Sequence, residues 1–442
     1  MTKRKSDTAV MKKSARRYAA EAVMRMESGG YSNIVIDNML NNCELNDKDK
    51  NFASAIVYGV TERCVTIDEI IAKHSKTEKL SPEVRAILRC ALYQIIYMDS
   101  VPDNAAVNEA VELTKEMRVR SAGGFVNAVL RGFLREGISE ELKNDVRFKY
   151  SCSADVYKIL SLSIGKEKTN GYLDGTFGKP PMFIRVNTLK IAQDEFIAKY
   201  EELYSKNPKI VSEADNCLII EDTCVTDDDL FKNGLYHVQD LSSQLCVNAL
   251  EPKPGMRVLD CCSAPGGKSF TLAQKMNGIG KILSCDIHKN RIQLVDEGKK
   301  RLGIKIIDTA VNDAAEYNID FGEFDAVLCD VPCSGLGVIR RKPEIKYKKE
   351  NEIAKLYGLQ FEILMTSSKY VRSGGTLIYS TCSLNKSENE DIVNKFLKVA
   401  GTDFELSPFQ LTPKESLNNG IRTILPEEYN SDGFFIAKLK RK

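Results

Sequence analysis

Two cysteines in the C-terminal half of the chain lie where a covalent reaction could use them. Cys333 follows the apolar run FDAVLCD in the sequence DVPCSG, and Cys382 lies at the end of the run GGTLIYSTCS. A thiolate is a strong nucleophile, and two cysteines just beyond strands of one predicted sheet favour covalent chemistry. The alternative for any single cysteine is a small buried apolar role, which suits Cys90 and Cys246 in their apolar helical runs.

Aspartates also stand at or just after predicted strands, and they are Asp260, Asp286, Asp313 and Asp330. A single aspartate after a strand is usually a turn residue or a helix cap. However, the carboxyl ends of successive parallel strands open onto one crevice, where ligands bind. Asp286, on the strand after Asp260, is placed to accept hydrogen bonds from ribose hydroxyls. Together these carboxylates predict a ligand site at one edge of the sheet.

The sequence VLDCCSAPGGKS, residues 258–269, joins a predicted strand to a predicted helix. Gly266 and Gly267 allow the backbone to approach a ligand closely, and the helix that opens at Lys268 offers free N–H groups. The loop lacks the GxGxxG spacing of dinucleotide sites and the leading glycine of the GxxxxGK[ST] phosphate loop. On this motif alone, a ligand-binding loop and a simple glycine turn both remain open.

The elements that must position these residues alternate between strand and helix after about residue 237. Short apolar strands are predicted at residues 257–260, 281–286, 305–309, 326–329 and 376–379. This alternation is typical of a doubly wound, mostly parallel α/β sheet. Upstream, residues 182–189 and 218–220 predict strands of a small α+β unit.

Residues 14–136 predict a bundle of about five to seven helices. Helical periodicity covers residues 15–26, continues over 52–71, and recurs at 107–117 and 125–134. Ser81-Pro82-Glu83 is typical of a helix start. Eight of the first 25 residues are Lys or Arg and two are acidic, which suits either a solvated helix face or a surface that contacts RNA.

Composition excludes several classes of protein. The 442 residues include 63 Lys and Arg against 61 Asp and Glu, which excludes a uniformly basic protein that coats nucleic acid. No apolar run reaches the roughly 18 residues of a membrane span, and the N-terminus lacks the apolar stretch of a secretory signal. Thirteen cysteines without such a signal indicate reduced thiols. No histidine (His74, His237, His288) stands beside a cysteine at metal spacing. We therefore expect a cytoplasmic monomer without a metal.

The C-terminal half resembles the Nop2/Sun (Fmu) family of RNA cytosine-5 methyltransferases. The N-terminal half resembles the NusB-type RNA-binding helical domain that is fused to it in bacterial 16S rRNA enzymes of the RsmB/Sun type. The motifs that carry the resemblance span nearly the whole chain: NFASAIVYGV, ALYQIIYMDSVPDNAAVNEAVELTK, GGFVNAVLRGFLRE, RVNTLK, VQDLSSQL, the PGGK loop, DVPCSG, STCS and DGFFIAKL. Departures are small, since Cys261-Cys262-Ser263 replaces a Leu-Cys-Ala type of stretch and Ser269 replaces a threonine.

The resemblance implies a multidomain protein. Residues 1–140 would form an all-α NusB-like RNA-binding domain, and residues 141–236 a linker with a small α+β subdomain. Residues 237–442 would form a Rossmann-like class I domain that uses S-adenosylmethionine. The implied reaction transfers a methyl group to carbon 5 of a specific cytosine of 16S rRNA, in a single strand or a loop.

The resemblance also implies a role for each site residue. Cys382 would be the nucleophile, Cys333 would assist release of the product, Asp330 would bond the cytosine edge, and Lys268 would help to activate the thiol. Chemistry alone leaves the nucleophile open, because DNA cytosine methyltransferases use the cysteine of a Pro-Cys motif. The implied cofactor contacts are Cys262, Ser263, Ala264, Pro265, Gly266, Gly267, Lys268, Asp286 at the ribose, Asp313 beside the adenine, and Asp330.

The basic tract at residues 340–349 and the basic N-terminal helix are the candidate RNA contacts. Two other classes of function remain. A pure RNA-binding or antitermination factor leaves the two placed cysteines without a task. A methyltransferase for small molecules or proteins leaves the helical domain unexplained.

Overall fold

The computed structural model of the protein describes residues 13–27, 32–75, 77, 79–221, 225 and 228–442. The chain divides into two compact units. The first contains the described residues up to Tyr157 together with Lys342–Lys348, and the second contains Lys158–Arg341 and Lys349–Lys442.

The first unit is helical, which confirms the predicted N-terminal bundle. Its helices are α1 (Ala15–Glu27), α2 (Ser32–Asn41), α3 (Asp47–Glu62), α4 (Cys64–His74), α5 (Pro82–Tyr97), α6 (Asp103–Glu116), α7 (Gly123–Glu136), α8 (Glu140–Asn144), α9 (Val146–Tyr150) and the start of α10 (Ala154–Ile164). α5 is the central helix, because residues 86–92 are buried on every side. Ser81 caps it as predicted, since its Oγ accepts a hydrogen bond from Val84 N–H.

The predicted helical stretch over residues 52–71 forms two helices, because the chain breaks at Arg63 between α3 and α4. The break frees backbone groups that a continuous helix would pair. Tyr347 satisfies them: Cys64 N–H donates to Tyr347 Oη at 3.1 Å, and the same hydroxyl donates to the carbonyl of Thr61. A side chain far away in the sequence therefore decides where this helix ends.

Lys342–Lys348 packs within the helical unit through a short 3-10 helix, Pro343–Tyr347. Ile345 is buried and Lys346 is fully buried. The carbonyl of Lys346 accepts a hydrogen bond from Ser153 N–H at 2.9 Å. Burial lowers the pKa of the Lys346 ammonium to about 8.

Lys346→Met should therefore stabilise the protein at pH 7. The pKa of Lys346 is lower in the folded state than its unfolded value of 10.5, so folding disfavours the charged ammonium. The free energy that burying this charge costs is complete below pH 8 and becomes smaller as the pH rises towards 10.5. Such a shift corresponds to about 3 kcal/mol. Denaturant titrations at pH 7 and pH 9 should show a larger gain in unfolding free energy at pH 7. Lys48→Met, at an exposed position of α3, is the control, and an equal gain at both pH values would contradict the assignment.

The second unit begins with the rest of α10 and a small antiparallel sheet. Its elements are α11 (Lys166–Asp174), β1 (Met182–Val186), α12 (Gln193–Tyr204), β2 (Lys209–Ile210), β3 (Cys217–Ile220), α13 (Asp229–Lys232) and β4 (Tyr236–Val238). The strand order is β2-β3-β1-β4. The predicted strands at residues 182–189 and 218–220 correspond to β1 and β3.

The larger sheet follows. Its region contains α14 (Leu241–Leu250), β5 (Arg257–Asp260), α15 (Gly267–Lys275), β6 (Lys281–Asp286), α16 (Lys289–Leu302), β7 (Ile307–Val311), β8 (Phe324–Asp330), α17 (Glu350–Ser368), β9 (Val371–Thr381), α18 (Glu390–Ala400), β10 (Phe404–Leu406), β11 (Phe409–Thr412), β12 (Glu415–Leu417), β13 (Ile421–Ile424), α19 (Pro426–Tyr429) and β14 (Phe434–Arg441). The sheet runs β10-β14-β9-β8-β5-β6-β7, and β13 pairs with β14. β11 and β12 pair with each other.

The strands β5 to β9 are parallel, which confirms the predicted Rossmann-like α/β fold. The antiparallel strands β10, β13 and β14 at one side of the sheet were not predicted from the sequence. The predicted strand at 305–309 starts two residues later, because Gly303 adopts φ +72° and Ile304 N–H still donates to Lys299 O of α16. Among the described helices, none is long and apolar enough to cross a membrane.

Candidate active site

The carboxyl ends of β5, β6, β8 and β9 form one edge of the larger sheet, and the predicted site residues lie along it. The chain changes direction across the sheet between β5 and β8, and ligands in open α/β sheets bind at such a switch point. In the loop after β5, Ser263 N–H donates to Cys285 O at 2.8 Å and Gly266 N–H donates to Ser263 O at 2.7 Å. Gly266 has φ +109°, and a Cβ there would lie 2.4 Å from the Phe270 ring. The loop therefore turns where only glycine fits.

A cavity of about 190 Å³ lies beside this loop. It is lined by Val238, Gln239, Asp240, Ser243, Asp260, Cys262, Ser263, Ala264, Pro265, Gly267, Lys268 and Asp330. Most of the predicted loop residues are therefore brought together with Asp330. Sequence analysis gave no site role to Gln239 and Asp240, although the motif VQDLSSQL that contains them was the available signal.

Asp260 ends β5 at the bottom of this cavity and is almost completely buried. Burial raises the pKa of its carboxyl group to about 7, although Ser269 Oγ donates a hydrogen bond to Asp260 Oδ2 at 2.7 Å. A cation in the cavity would stabilise the ionised form of this group.

Lys268 and Asp330 form an ion pair at the same edge. Lys268 Nζ donates to Asp330 Oδ2 at 2.7 Å, and Ser380 Oγ donates to Asp330 Oδ1 at 2.7 Å. The ammonium group also lies 5.1 Å from the centre of the Phe434 ring. Burial by itself would lower the pKa of Lys268, but the charge of Asp330 and its hydrogen bond raise it above the ordinary value. Lys268 thus stays charged and fixes the orientation of the Asp330 carboxylate.

The two predicted cysteines meet beyond the ends of β8 and β9. Cys333 Sγ lies 3.1 Å from Cys382 Sγ, and both cysteines are free thiols. Gly337 N–H donates to Cys382 O at 2.9 Å, and a Cβ on Gly337 would lie 2.0 Å from the carbonyl of Gly433. The hydrogen bond to Cys382, followed by burial, raises the pKa of the Cys333 thiol well above its ordinary value. The two thiols therefore share a hydrogen bond in which either sulfur can be the donor.

Asp286 and Asp313 lie further along the edge and do not line the cavity. Asp286 is buried; its Oδ1 accepts from His288 N–H at 3.0 Å, and its Oδ2 lies 3.0 Å from Arg291 Nη1. Asp313 Oδ1 accepts from Ala315 N–H at 2.9 Å.

Two apolar side chains beside these aspartates are more than half exposed, and neither was predicted as a site residue from the sequence. Ile287 is 52% exposed directly after β6, and Val311 is 55% exposed at the end of β7. An exposed apolar pair beside a carboxylate suits a ligand with a flat apolar face.

The prediction that the tract at residues 340–349 contacts RNA is wrong for Lys346, and Arg341 is held in ion pairs within the protein. Arg341 forms ion pairs with Asp240 and Asp432, each at 2.8 Å. Lys346 is fully buried, so its ammonium group is not available to a phosphate.

The basic N-terminal prediction falls partly on residues 1–12, which lie outside the described residues. Of the charges that are described, Lys13 and Arg17 pair with Glu21 at 2.9 and 3.1 Å. Arg16 donates to Gln94 Oε1 at 2.8 Å. These contacts favour a structural role for the described part of this basic segment.

Comparison with known proteins identifies the family to which this chain belongs. The fold defines a methyltransferase domain of the Rossmann-like class, and a helical domain matches the NusB family model over residues 13–135. The family model described as 16S rRNA methyltransferase RsmB/F matches residues 247–440. With relatives more than 30% identical over nearly the whole length, the chain belongs to this family.

Two of these relatives and one solved structure show the extent of the similarity. The probable ribosomal RNA small subunit methyltransferase B of Bacillus subtilis (strain 168) is 34% identical over 98% of this chain and 99% of its own. The ribosomal RNA small subunit methyltransferase B of Escherichia coli O1:K1 / APEC is 31% identical over 97% and 98%. The crystal structure of PH0851 superposes with a TM-score of 0.83 at 27% identity, covering 96% of this chain and 98% of that one.

Proposed function

We propose that this protein transfers a methyl group from S-adenosylmethionine to carbon 5 of a cytosine in 16S rRNA through a covalent cysteine–cytosine intermediate. The observation that carries the proposal is the pair of thiols 3.1 Å apart beside the Lys268–Asp330 ion pair. The curated relatives, named as small subunit rRNA methyltransferases, support the class of substrate.

The residues present fit S-adenosylmethionine, which supplies an electrophilic methyl group when bound. The loop from Cys262 to Lys268 offers backbone groups, and the cationic cofactor suits the buried carboxylate of Asp260. Gln239 Nε2 is buried and has no hydrogen-bond partner among the described residues, so it is available to a carboxylate of the ligand. Asp286 would hold the ribose hydroxyls, while Ile287 and Val311 would flank the adenine near Asp313.

The proposed chemistry begins with a thiolate, because carbon 5 of cytosine is too weak a nucleophile to take the methyl group directly. Attack of the Cys382 thiolate on carbon 6, with a proton or hydrogen bond at N3, makes carbon 5 an enamine carbon. Carbon 5 then takes the methyl group, and S-adenosylhomocysteine is left. Loss of the carbon 5 proton to a base breaks the bond between carbon 6 and sulfur and expels the thiolate. Asp330 would accept a hydrogen bond from the cytosine edge while Lys268 and Ser380 hold its carboxylate. The family resemblance assigns the attack to Cys382, and the short distance between the two sulfurs allows Cys333 to share a proton with the attacking sulfur.

The target base must leave its stack to reach the two sulfurs, which favours single-stranded or loop RNA. We also propose the division of labour that the sequence implied. Residues 1–140 would contribute RNA binding, residues 141–236 would link the domains, and residues 237–442 would carry the chemistry.

Bisulfite mapping of 16S rRNA from cells with and without the gene tests the function. One cytosine should be protected from conversion when the gene is present and lose that protection when it is deleted. Purified protein should transfer radiolabelled methyl groups to the matching RNA and not to the same sequence as DNA. Cofactor binding without any transfer to RNA would instead support a different methyl acceptor, and absence of cofactor binding would support an RNA-binding factor.

Asp286→Ala should weaken binding of S-adenosylmethionine. A charge-assisted hydrogen bond to a ribose hydroxyl is worth about 1.5–3 kcal/mol, or roughly a 10- to 150-fold rise in Kd by calorimetry. Asp296→Ala is the matched control, because Asp296 is an ion-paired aspartate on α16 that bonds Lys299 and Thr309 at 2.8 and 3.0 Å. Unchanged affinity in a folded Asp286→Ala variant would remove Asp286 from the site.

A further inference from the structure

Glu388 is a fully buried carboxylate in the short helical turn Lys386–Glu388 that follows β9. Its Oε1 accepts from Ser334 N–H at 2.7 Å and from Gln360 Nε2 at 3.0 Å. Its Oε2 accepts from Ser334 Oγ at 2.5 Å and from Ser383 Oγ at 2.6 Å. An ionised carboxylate accepts about four hydrogen bonds, so these donors satisfy the buried charge.

The donors come from both cysteine loops. Ser334 directly follows Cys333, and Ser383 directly follows Cys382, so Glu388 bonds the neighbour of each sulfur-bearing residue. Ser334 Oγ and Ser383 Oγ also lie 3.0 Å apart. Gln360, on α17, belongs to the same cluster. Its side chain donates a hydrogen bond at 3.0 Å to the carbonyl of Pro332, the residue directly before Cys333. One carboxylate therefore joins the two loops to each other and to the helix behind them.

Loss of the hydrogen bonds between Glu388 and the two cysteine loops should cost a large free energy, because the Glu388 carboxylate is buried. If the two cysteine loops moved apart, the buried Glu388 carboxylate would lose hydrogen-bond donors. When the loops stay together, these donors satisfy it. The hydrogen bonds thus favour one relative position of the loops, the one in which the sulfurs lie 3.1 Å apart. Glu388 touches neither sulfur and acts through Ser334 and Ser383.

We propose that Glu388 is a positioning residue that sets the separation of Cys333 and Cys382. The inference rests on the proposed covalent methyl transfer, in which Cys382 attacks carbon 6 of the base and Cys333 assists release of the same base. Reacting groups misplaced by about 1 Å lose on the order of 100-fold in rate. The carboxylate thereby couples attack by one cysteine to release by the other.

The test uses the full chain and two Glu388 variants. Glu388→Ala removes all four acceptor positions, whereas Glu388→Gln keeps one oxygen and turns an amide nitrogen towards two hydroxyls that can rotate. The first readout needs no RNA: diamide oxidises the two thiols to a disulfide by accepting their two hydrogens, and the rate of Cys333–Cys382 crosslinking reports their separation. The second readout is methyl transfer, as kcat and as KM for S-adenosylmethionine.

Glu388→Ala should slow crosslinking by roughly tenfold or more. It should also lower kcat by on the order of 100-fold while KM for S-adenosylmethionine changes little. The crosslinking rate and kcat of Glu388→Gln should lie between those of Glu388→Ala and the native protein. Asp228→Asn is the matched control, because Asp228 is a buried carboxylate in the small antiparallel unit that accepts from Tyr204 Oη, Tyr236 Oη and Leu230 N–H. It should lower stability without changing the crosslinking rate.

Native crosslinking and kcat in a folded Glu388→Gln variant, together with native crosslinking in Glu388→Ala, would overturn the proposal. So would slowed crosslinking of the same size in Asp228→Asn, because the effect would then be one of general stability. If the native protein transfers no methyl group to RNA, the proposed function fails, while the crosslinking rates still decide whether Glu388 positions the two thiols.

Discussion

Cys382→Ala should abolish methyl transfer and form no covalent bond to RNA, whereas Cys333→Ala should attack, methylate and then remain joined to its product. The reason is the order of steps: attack at carbon 6 creates the bond, and release breaks it. Removing a nucleophile lowers turnover by roughly 10⁴-fold or more. Removing the residue that assists release stops turnover after one cycle and leaves an adduct.

The measurement is denaturing electrophoresis of each variant after incubation with labelled 16S rRNA and S-adenosylmethionine. A slow-migrating protein–RNA band should appear with Cys333→Ala alone. The double variant should show no band, because release matters only after attack. Cys246→Ala, at a buried helical cysteine of α14, is the control and should turn over.

Two outcomes would contradict these roles. An adduct with Cys382→Ala and none with Cys333→Ala would exchange the two residues and make Cys333 the nucleophile. Residual methylation in both single variants without any adduct would mean that both cysteines only pack. The 3.1 Å separation of the sulfurs permits either direction of proton sharing, so this experiment decides the direction.

Asp330→Asn should have the second largest effect. The substitution removes the charge that pairs with Lys268 and turns an amide nitrogen towards a donor, either Lys268 Nζ or Ser380 Oγ. Breaking a buried pair by removing one partner destabilises a protein by about 3–5 kcal/mol, and this pair, being partly exposed, should fall at or below the lower end. Loss of the contact to the reacting base should lower kcat by roughly 10²- to 10⁴-fold.

The matched control is Asp325→Asn on the same strand. Asp325 also accepts from two donors, Arg257 N–H at 2.7 Å and Arg372 Nε at 2.5 Å, but it lies near the start of β8 and not at its carboxyl end. Single-turnover methylation and unfolding free energy should be measured for both variants. A fall in stability alone for Asp330→Asn, with the rate of methylation unchanged, would exclude Asp330 from the chemistry.

Local patterns in the amino-acid sequence were enough to predict the parallel strands and the order of polar residues at their ends. β5 and β6 begin and end as predicted, and Asp260, Asp286 and Asp330 each close a strand. The physical reason is local: side-chain alternation, apolar runs and turn residues act over a few positions. The same local signals placed Ser81 at the start of α5.

Features that depend on partners distant in the sequence could be established only from the folded chain. Tyr347 ends α3, Arg341 is neutralised by Asp240 and Asp432, and Lys346 is buried, although all three lie in a tract that reads as an exposed basic surface. Charge and periodicity describe a segment, whereas burial depends on what packs against it.

The same division applies to the site. The two cysteine motifs could be recognised in the sequence. The 3.1 Å separation of their sulfurs, however, depends on the parallel pairing of β8 with β9 and on the hydrogen bonds of Glu388 to both loops. Likewise, Gln239 reaches the cavity because the chain after β4 returns to the loop that follows β5. No local pattern encodes these distances, because each is set by hydrogen bonds between residues that only folding brings together.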